Sequence, residues 1–257
     1  MLDSGLVSIT FRQLTPARII DLVKESGLNC IEWGGDIHVP HGELKIARSV
    51  RRQCADANII LPTYGSYYRS GCNIAKNPSI NAVLDSAAEL GVKQVRIWAG
   101  NEGSAQMTAG RRHEIIESLC QDSKIAATYG LQLSLEYHAS TLTDSDESVK
   151  QLMTELQESP IKFYWQPVVG KNIQCHLDSL TTVSSRLAHI HAFNWQLDAA
   201  GTLVRHPFAD AMDNWQLILS YAAKISGTHT VMLEFVKDDS IEQFMRDAQK
   251  LQELLNR

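Results

Sequence analysis

The chain has 257 residues, of which 44% are hydrophobic and 21% are charged, so its composition is that of a folded globular protein and excludes a disordered chain. Its formal net charge of -5 comes without any cluster of lysine and arginine longer than two residues, which argues against a nucleic-acid-binding protein. Its length is typical of one eight-fold α/β barrel, for which about 250 residues are usual. We therefore expect one domain over residues 1–257 and a small-molecule partner.

The cysteines and the start of the chain bear on where the protein works. Five cysteines without CxxC spacing predict neither a disulfide framework nor a thiolate zinc site. The first residues lack a basic segment followed by an apolar one, and no run approaches 18 apolar residues. We expect a cytoplasmic protein without a membrane partner. A homo-oligomer is possible, and the sequence does not determine the oligomeric state.

Short apolar runs alternate with helical patterns along the whole chain. The runs predict strands at 5–10, 29–33, 59–64, 93–98, 131–137, 161–165, 187–193 and 230–236. Strict alternation indicates parallel strands joined by helices. Eight such units, starting roughly 25 to 40 residues apart, favour a closed barrel over an open doubly wound sheet. No GxGxxG follows the first strand. The predicted fold is therefore an α/β protein of the (β/α)8 TIM-barrel type.

The alternation of side chains within each strand predicts which residues enter the barrel. One face of each strand is apolar and suits packing against helices, whereas the other is more polar and points inward. Inward parity falls on Ser8, Thr10, Arg12, Gln94, Arg96, Trp98, Lys162, Tyr164, Thr230 and Met232 among others. By contrast, Trp33 and Trp165 have helix-facing parity and are expected in the core.

Four polar residues lie nearest the carboxyl ends of the last four predicted strands. They are Glu136, Gln166, His191 and Glu234. We expect them to face one another at the mouth of the barrel, where two unneutralised carboxylates would destabilise the fold. Oxygen and nitrogen ligands of this kind predict one divalent metal ion, namely Mn²⁺, Mg²⁺, Co²⁺ or Zn²⁺.

Several motifs resemble the xylose-isomerase-like TIM-barrel superfamily, which contains sugar isomerases and epimerases, endonuclease IV and 3-dehydroshikimate dehydratases. They are ITFRQL (9–14), RIWAGNEGSA (96–105), LEYHASTLTD (135–144) and HIHAFNW (189–195). The resemblance implies a metal bound by Glu, Asp, His and Glu at the ends of strands 5 to 8. Glu136, His191 and Glu234 match this set. Gln166 stands where Asp is expected, and Val169 stands where many members have His.

The resemblance implies an isomerase or epimerase that acts on a small ketose or a related carbonyl compound in carbohydrate metabolism. Glu136 and Glu234 would exchange the substrate proton through an enediolate, and His138 would carry a proton or contact the substrate. In a dehydratase, His138 would instead be the base. Residues expected to bind substrate are Arg12, Trp98, Arg205 and His206.

A non-catalytic protein is a further alternative. Gln166 removes one negative charge from the metal site, so a metal should bind less tightly. The chain could therefore be a sugar-binding barrel without catalytic activity. The endonuclease branch is disfavoured because the chain is acidic. The run EWGGDIHVPHG after the second strand places Glu32, Asp36, His38 and His41 on a predicted loop, where substrate contact or solvation is expected.

Overall fold

The computed structural model describes residues 1–256 as a closed parallel barrel with one added hairpin. The strands are β1 (Leu2–Val7), β2 (Cys30–Gly34), β3 (Thr63–Ser70), β4 (Gln94–Ala99), β5 (Gln132–Glu136), β6 (Lys162–Trp165), β7 (Leu187–Ala192), β8 (Trp195–Leu197), β9 (Leu203–Arg205) and β10 (His229–Leu233). The barrel order is β1-β10-β7-β6-β5-β4-β3-β2, so the first strand pairs with the last. The predicted (β/α)8 TIM barrel is confirmed.

Eight α-helices follow the barrel strands and cover their outer faces. They are α1 (Pro16–Glu25), α2 (Leu44–Asp56), α3 (Ile80–Leu90), α4 (Ala109–Thr128), α5 (Asp146–Glu155), α6 (Ile173–Val183), α7 (Met212–Ala222) and α8 (Ile241–Leu255). Several begin at a side-chain cap, as where the Ser240 hydroxyl accepts the Gln243 N–H at 3.2 Å. Within residues 1–256, none of the helices combines the length and the apolar character that crossing a bilayer requires.

The layer between strands and helices is apolar, as the strand parity predicts. Trp33 and Trp165 are fully buried in it. The Trp165 indole N–H donates a hydrogen bond to the Ser179 hydroxyl of α6 at 2.9 Å, so a helix satisfies the polar atom of this core residue. The helix-facing orientation predicted for both residues is therefore correct.

The first and third strands are displaced along the chain relative to their predicted bounds. The first stops at Val7, and residues 8–11 form a 3-10 helix whose hydroxyls accept backbone N–H groups, as between Thr10 and Phe235 at 3.0 Å. The third begins only at Thr63, and Ile60 makes an isolated bridge to Cys30. Pro62 separates the two segments because proline has no N–H to contribute to a strand ladder.

A β-hairpin lies between β7 and α7, in a segment where the sequence predicted no strand. Strands β8 and β9 are antiparallel, and Leu197 pairs with Leu203. The turn is closed by Asp198, whose side chain accepts N–H groups from Ala200 at 2.9 Å and Thr202 at 2.8 Å. The connection from β7 therefore extends the barrel wall at its carboxyl end rather than passing directly into a helix.

We expect Gly5→Ala to destabilise the protein by about 1–3 kcal/mol, because β1 and β2 approach closely at this position. A Cβ on Gly5 would lie 2.7 Å from the Cys30 carbonyl oxygen, and backbone cannot move aside cheaply. Gly110→Ala is the matched control, since a Cβ there meets nothing within 4 Å, and it should be neutral or slightly stabilising in α4. Urea unfolding of both variants measures the difference; equal stabilities would contradict the prediction.

Candidate active site

Three of the predicted metal ligands converge inside the carboxyl mouth of the barrel. Glu136 ends β5, His191 lies in β7, and Glu234 directly follows β10. All three are buried, and one potential ligand atom from each lies within 4.8 Å of the others. Residues that were predicted to face inward thus lie close together, although they are separated by almost 100 positions in the chain.

The Nδ1 atom of His191 is the centre of this group. It lies 3.3 Å from Glu136 Oε1, 3.5 Å from Glu234 Oε2 and 3.3 Å from Gln166 Oε1. The Gln166 amide N–H donates to the Tyr137 backbone carbonyl at 2.6 Å. A carbonyl can only accept, so this bond fixes the amide with its oxygen toward His191. All four predicted ligands therefore share one location.

The donor set fits a divalent metal ion. Metal–ligand distances of about 2.1 Å place neighbouring ligand atoms about 3.0–3.4 Å apart, by the geometry of octahedral and tetrahedral sites. The 3.3–3.5 Å separations around His191 Nδ1 are close to that range. Two carboxylates, one amide oxygen and one imidazole nitrogen suit Mn²⁺, Mg²⁺, Co²⁺ or Zn²⁺. Glu136, Gln166, His191 and Glu234 would hold such an ion.

Glu32 lies on the other side of His191, inside β2, and the prediction that places it on the loop after this strand is wrong. It is fully buried, and its Oε2 is 3.4 Å from His191 Nε2. The same oxygen accepts a hydrogen bond from the Tyr164 hydroxyl at 2.7 Å. A carboxylate at one imidazole nitrogen orients the ring and leaves the other nitrogen for a metal. Burial would raise the pKa of Glu32, but the charges of Arg96 and His191 lower it to about 2.

Arg96 of β4 joins Glu32 to the metal-binding group. Its Nε donates to Glu32 Oε1 at 2.9 Å, and its Nη1 contacts Glu136 Oε2. Arg96 is 1% exposed. Its guanidinium has room because residue 65 is a glycine, since a Cβ added there would lie 2.7 Å from Arg96 Nη2. Sequence parity placed Arg96 inside the barrel without giving it a role. The fold therefore supplies a buried cation of its own, so the carboxylates are partly neutralised without a metal.

The two site carboxylates differ in their surroundings. Glu136 Oε2 accepts from Arg96 and from the Trp98 indole N–H at 2.5 Å, so only Oε1 faces His191. Burial would raise the pKa of Glu136, but Arg96 and His191 hold it well below its usual value. Burial dominates at Glu234 and raises its pKa to about 7. Two carboxyl groups whose pKa values differ in this way can take different chemical roles, one as a fixed anion and one as a proton acceptor.

A cavity of about 650 Å³ opens above the site. Among the residues predicted to contact substrate, Arg12, Trp98 and His138 line this cavity. The ring centroids of His138 and Trp98 are 4.4 Å apart. His138 Nδ1 lies 2.7 Å from the Ala139 carbonyl, to which it donates in the neutral ring, leaving Nε2 as the basic nitrogen.

The other two predicted substrate-binding residues do not line the cavity. Arg205, at the end of β9, forms an ion pair with Asp239 at 2.6 Å, and its guanidinium lies 4.7 Å from the centre of the Phe235 ring. His206 follows, and its backbone N–H donates to the Asn194 carbonyl at 2.8 Å. The Arg205 contacts hold the hairpin against the segment after β10, and substrate binding by Arg205 and His206 stays a prediction.

We expect Arg96→Met to destabilise the protein by about 3–5 kcal/mol, because Glu32 and Glu136 would lose their buried cation. The matched control is Arg48→Met, since Arg48 pairs with Glu89 at 2.8 Å on the surface with its side chain 67% exposed. That variant should unfold like the wild type. Denaturant unfolding of the metal-free proteins measures both effects. Equal stability of the two variants would show that the buried pair contributes little.

Comparisons with known proteins agree with this geometry. The family model described as "Xylose isomerase-like TIM barrel" matches residues 20–254. No curated protein shows a significant sequence match to the chain.

Three solved structures illustrate the structural likeness. The probable 3-DHS dehydratase AsbF from Bacillus anthracis, involved in petrobactin synthesis, is 19% identical with a TM-score of 0.79, covering 98% of this chain and 99% of that one. The IOLI protein with a bound zinc atom is 15% identical with a TM-score of 0.75, covering 99% and 98%. D-psicose 3-epimerase, solved in the presence of D-fructose, is 16% identical with a TM-score of 0.69, covering 97% of each chain. At these identities the likeness shows the shared fold, and together with the family match it establishes that the chain belongs to the xylose isomerase-like TIM barrel family.

Proposed function

We propose that the protein is a divalent-metal-dependent isomerase or epimerase of a small ketose or similar carbonyl compound. The observation that carries the proposal is the convergence of Glu136, Gln166, His191 and Glu234 at the floor of the cavity. A divalent ion held there would polarise the substrate carbonyl and its neighbouring hydroxyl and so stabilise an enediolate. The similarity to D-psicose 3-epimerase supports the same reaction class.

Glu234 is the residue that moves the substrate proton in this proposal. It lines the cavity, and it lacks the Arg96 and Trp98 hydrogen bonds that hold the Glu136 carboxylate, so its oxygens can accept a proton. It takes the proton from the carbon next to the carbonyl and returns it to the neighbouring carbon for an isomerisation. Inversion at one carbon requires a second proton donor. His138 would supply it as the imidazolium, giving up the proton on Nε2 while its Nδ1–H stays on the Ala139 carbonyl, and its ring lines the cavity. Glu234 then loses its proton to water and His138 takes one up before the next turnover.

Glu136 holds its position instead of exchanging a proton. Arg96 and Trp98 both donate to its Oε2, and its lowered pKa makes it a weak base. Trp98 therefore acts by fixing Glu136, and its ring also forms part of the cavity wall. The sequence assigned Glu136 a catalytic and a ligand role; the contacts of its side chain support the ligand role.

A dehydratase is the second candidate, favoured by the position of His138 and by the likeness to AsbF. His138 Nε2 would remove the proton beside the carbonyl, and the hydroxyl of the next carbon would leave as water after His138 returns that proton to it. A sugar-binding barrel without turnover is the alternative outside enzymes. Incubating the Mn²⁺-loaded protein with D-psicose, D-fructose and 3-dehydroshikimate separates the three by product chromatography. Metal uptake with no turnover of any compound would favour the binding barrel.

We expect Glu234→Gln to lower turnover by at least about 10²-fold, because a positioned general base contributes that much or more. Solvent deuterium should also stop entering the carbon next to the carbonyl, which proton NMR detects in D₂O. Circular dichroism should show an unchanged fold, since Gln nearly matches Glu in volume. Glu158→Gln at an exposed position is the control and should retain full activity. Full activity of Glu234→Gln would remove Glu234 from the mechanism.

A further inference from the structure

One wall of the active-site cavity is made of apolar side chains from the starts of β8 and β9 and from the segments that follow β6, β7 and β10. These residues, called the apolar wall below, are Val168, Val169, Phe193, Trp195, Leu203 and Phe235. The rings of Phe193 and Trp195 are stacked, with centroids 3.9 Å apart and planes 16° from parallel. The Trp195 indole N–H donates to the Phe235 carbonyl at 3.3 Å. The wall is therefore ordered, and its one indole donor is already used.

The apolar wall is not fully covered by the protein itself. Leu203 is 46% exposed although it lines the cavity, and Trp195 and Val169 are only partly buried. Exposed apolar side chains grouped beside a functional site are typical of ligand contact. Val169 occupies the position at which the family resemblance led us to expect a histidine, so an apolar side chain there extends the wall.

The cationic side chains of the cavity are already paired. Arg12 forms an ion pair with Asp36 and donates to the Tyr67 hydroxyl at 3.2 Å, while Arg96 pairs with Glu32 and Glu136. Among the described cavity-lining residues there is no other arginine and no lysine. Recognition of phosphate or carboxylate by a protein normally uses such groups. The cavity is therefore poorly suited to an anionic substituent.

The cavity also has more room than a simple sugar fills. At about 30 Å³ for each water-sized group, a space of 650 Å³ accommodates roughly twenty non-hydrogen atoms, whereas a hexose has about twelve. The apolar wall borders this space. A bound sugar would therefore leave this wall in contact with water unless it carried a further group.

We propose that the substrate is an uncharged sugar-like carbonyl compound that bears an apolar substituent packed against the stacked Phe193 and Trp195 rings and Leu203. This inference rests on the proposed function for the orientation of the sugar, since the oxygens must face Glu136 and Glu234. The substituent then covers the apolar wall and excludes water from the site. Phosphorylated sugars and sugar acids should bind more weakly than this compound, because both arginines of the cavity already face carboxylates.

The test compares ligands that differ only in one substituent. D-fructose, its 1-O- and 6-O-benzyl ethers, and its 1- and 6-phosphates are titrated calorimetrically into the Mn²⁺-loaded wild-type protein. At least one benzyl ether should bind about tenfold or more tightly than D-fructose, because the phenyl ring leaves water. Neither phosphate should bind more tightly than D-fructose. Tightest binding of a phosphate, or no gain with either benzyl ether, would overturn the proposal.

Two leucines of the hairpin provide a matched pair of variants. Leu203 lines the cavity, whereas its cross-strand partner Leu197 does not, although its exposure of 51% is similar. Leu203→Ala should reduce the preference for the benzyl ether over D-fructose by about fivefold, and Leu197→Ala should leave that preference unchanged. Equal effects of the two variants would show that the wall does not contact the substituent.

Binding and turnover are measured separately, so the two proposals fail in different ways. If the benzyl preference is found but deuterium never enters the ligand, the isomerase proposal fails and the binding inference holds. If deuterium exchange occurs with D-fructose but neither benzyl ether binds more tightly, the isomerase proposal holds and the apolar substituent is rejected.

Discussion

The buried guanidinium of Arg96 is the interaction on which the centre of this barrel depends. It lies between Glu32 and Glu136 with almost no access to water. Three carboxylates and a histidine occupy this interior, and an unpaired charge there would be very unfavourable. Arg96 satisfies two of the carboxylates directly. This leaves Glu234 as the carboxyl group without an arginine contact, which is why burial raises its pKa to about 7.

Much of this arrangement follows from the two-residue period of strands. The period explains why Trp165 faces the helices and Tyr164 faces the interior. It also predicts that Glu136, His191 and Glu234 meet, because all inward positions of a closed barrel share one interior. The order of the barrel and its closure follow from the count of βα units. These features depend on local pattern alone, so one sequence is enough to predict them.

Other features depend on information that a local pattern lacks. Glu32 lies one residue before Trp33 in the strand predicted at 29–33, so the period that turns Trp33 toward the helices turns Glu32 inward. The glycines that follow led to its assignment to a loop, and the charged partners that stabilise its burial are distant in the chain. The pairing of Arg96 with two carboxylates depends on side-chain lengths across the barrel. Arg205 illustrates the opposite case, since a hairpin and the ion pair with Asp239 turn it away from the site to which its position in the chain assigned it.

The two departures from the family pattern have separate structural consequences. Gln166 keeps an oxygen directed toward His191, so it preserves the number of candidate ligands while lowering their total negative charge. Val169 adds apolar surface on the cavity wall. Gln166 thus changes the charge of the candidate metal site, and Val169 changes the surface of the cavity. Neither change by itself implies that activity is lost.

The contact between Glu32 and His191 links β2 to β7, two strands that are not neighbours in the barrel order. Neither a half-barrel nor an open sheet could form it, since 159 residues separate the two side chains and only the closed cylinder brings them within 3.4 Å. The four candidate ligands, by contrast, lie on the neighbouring strands β5, β6, β7 and β10 or directly after them. One continuous side of the barrel thus provides the donor atoms, and the opposite side, through Glu32, sets the angle of the imidazole.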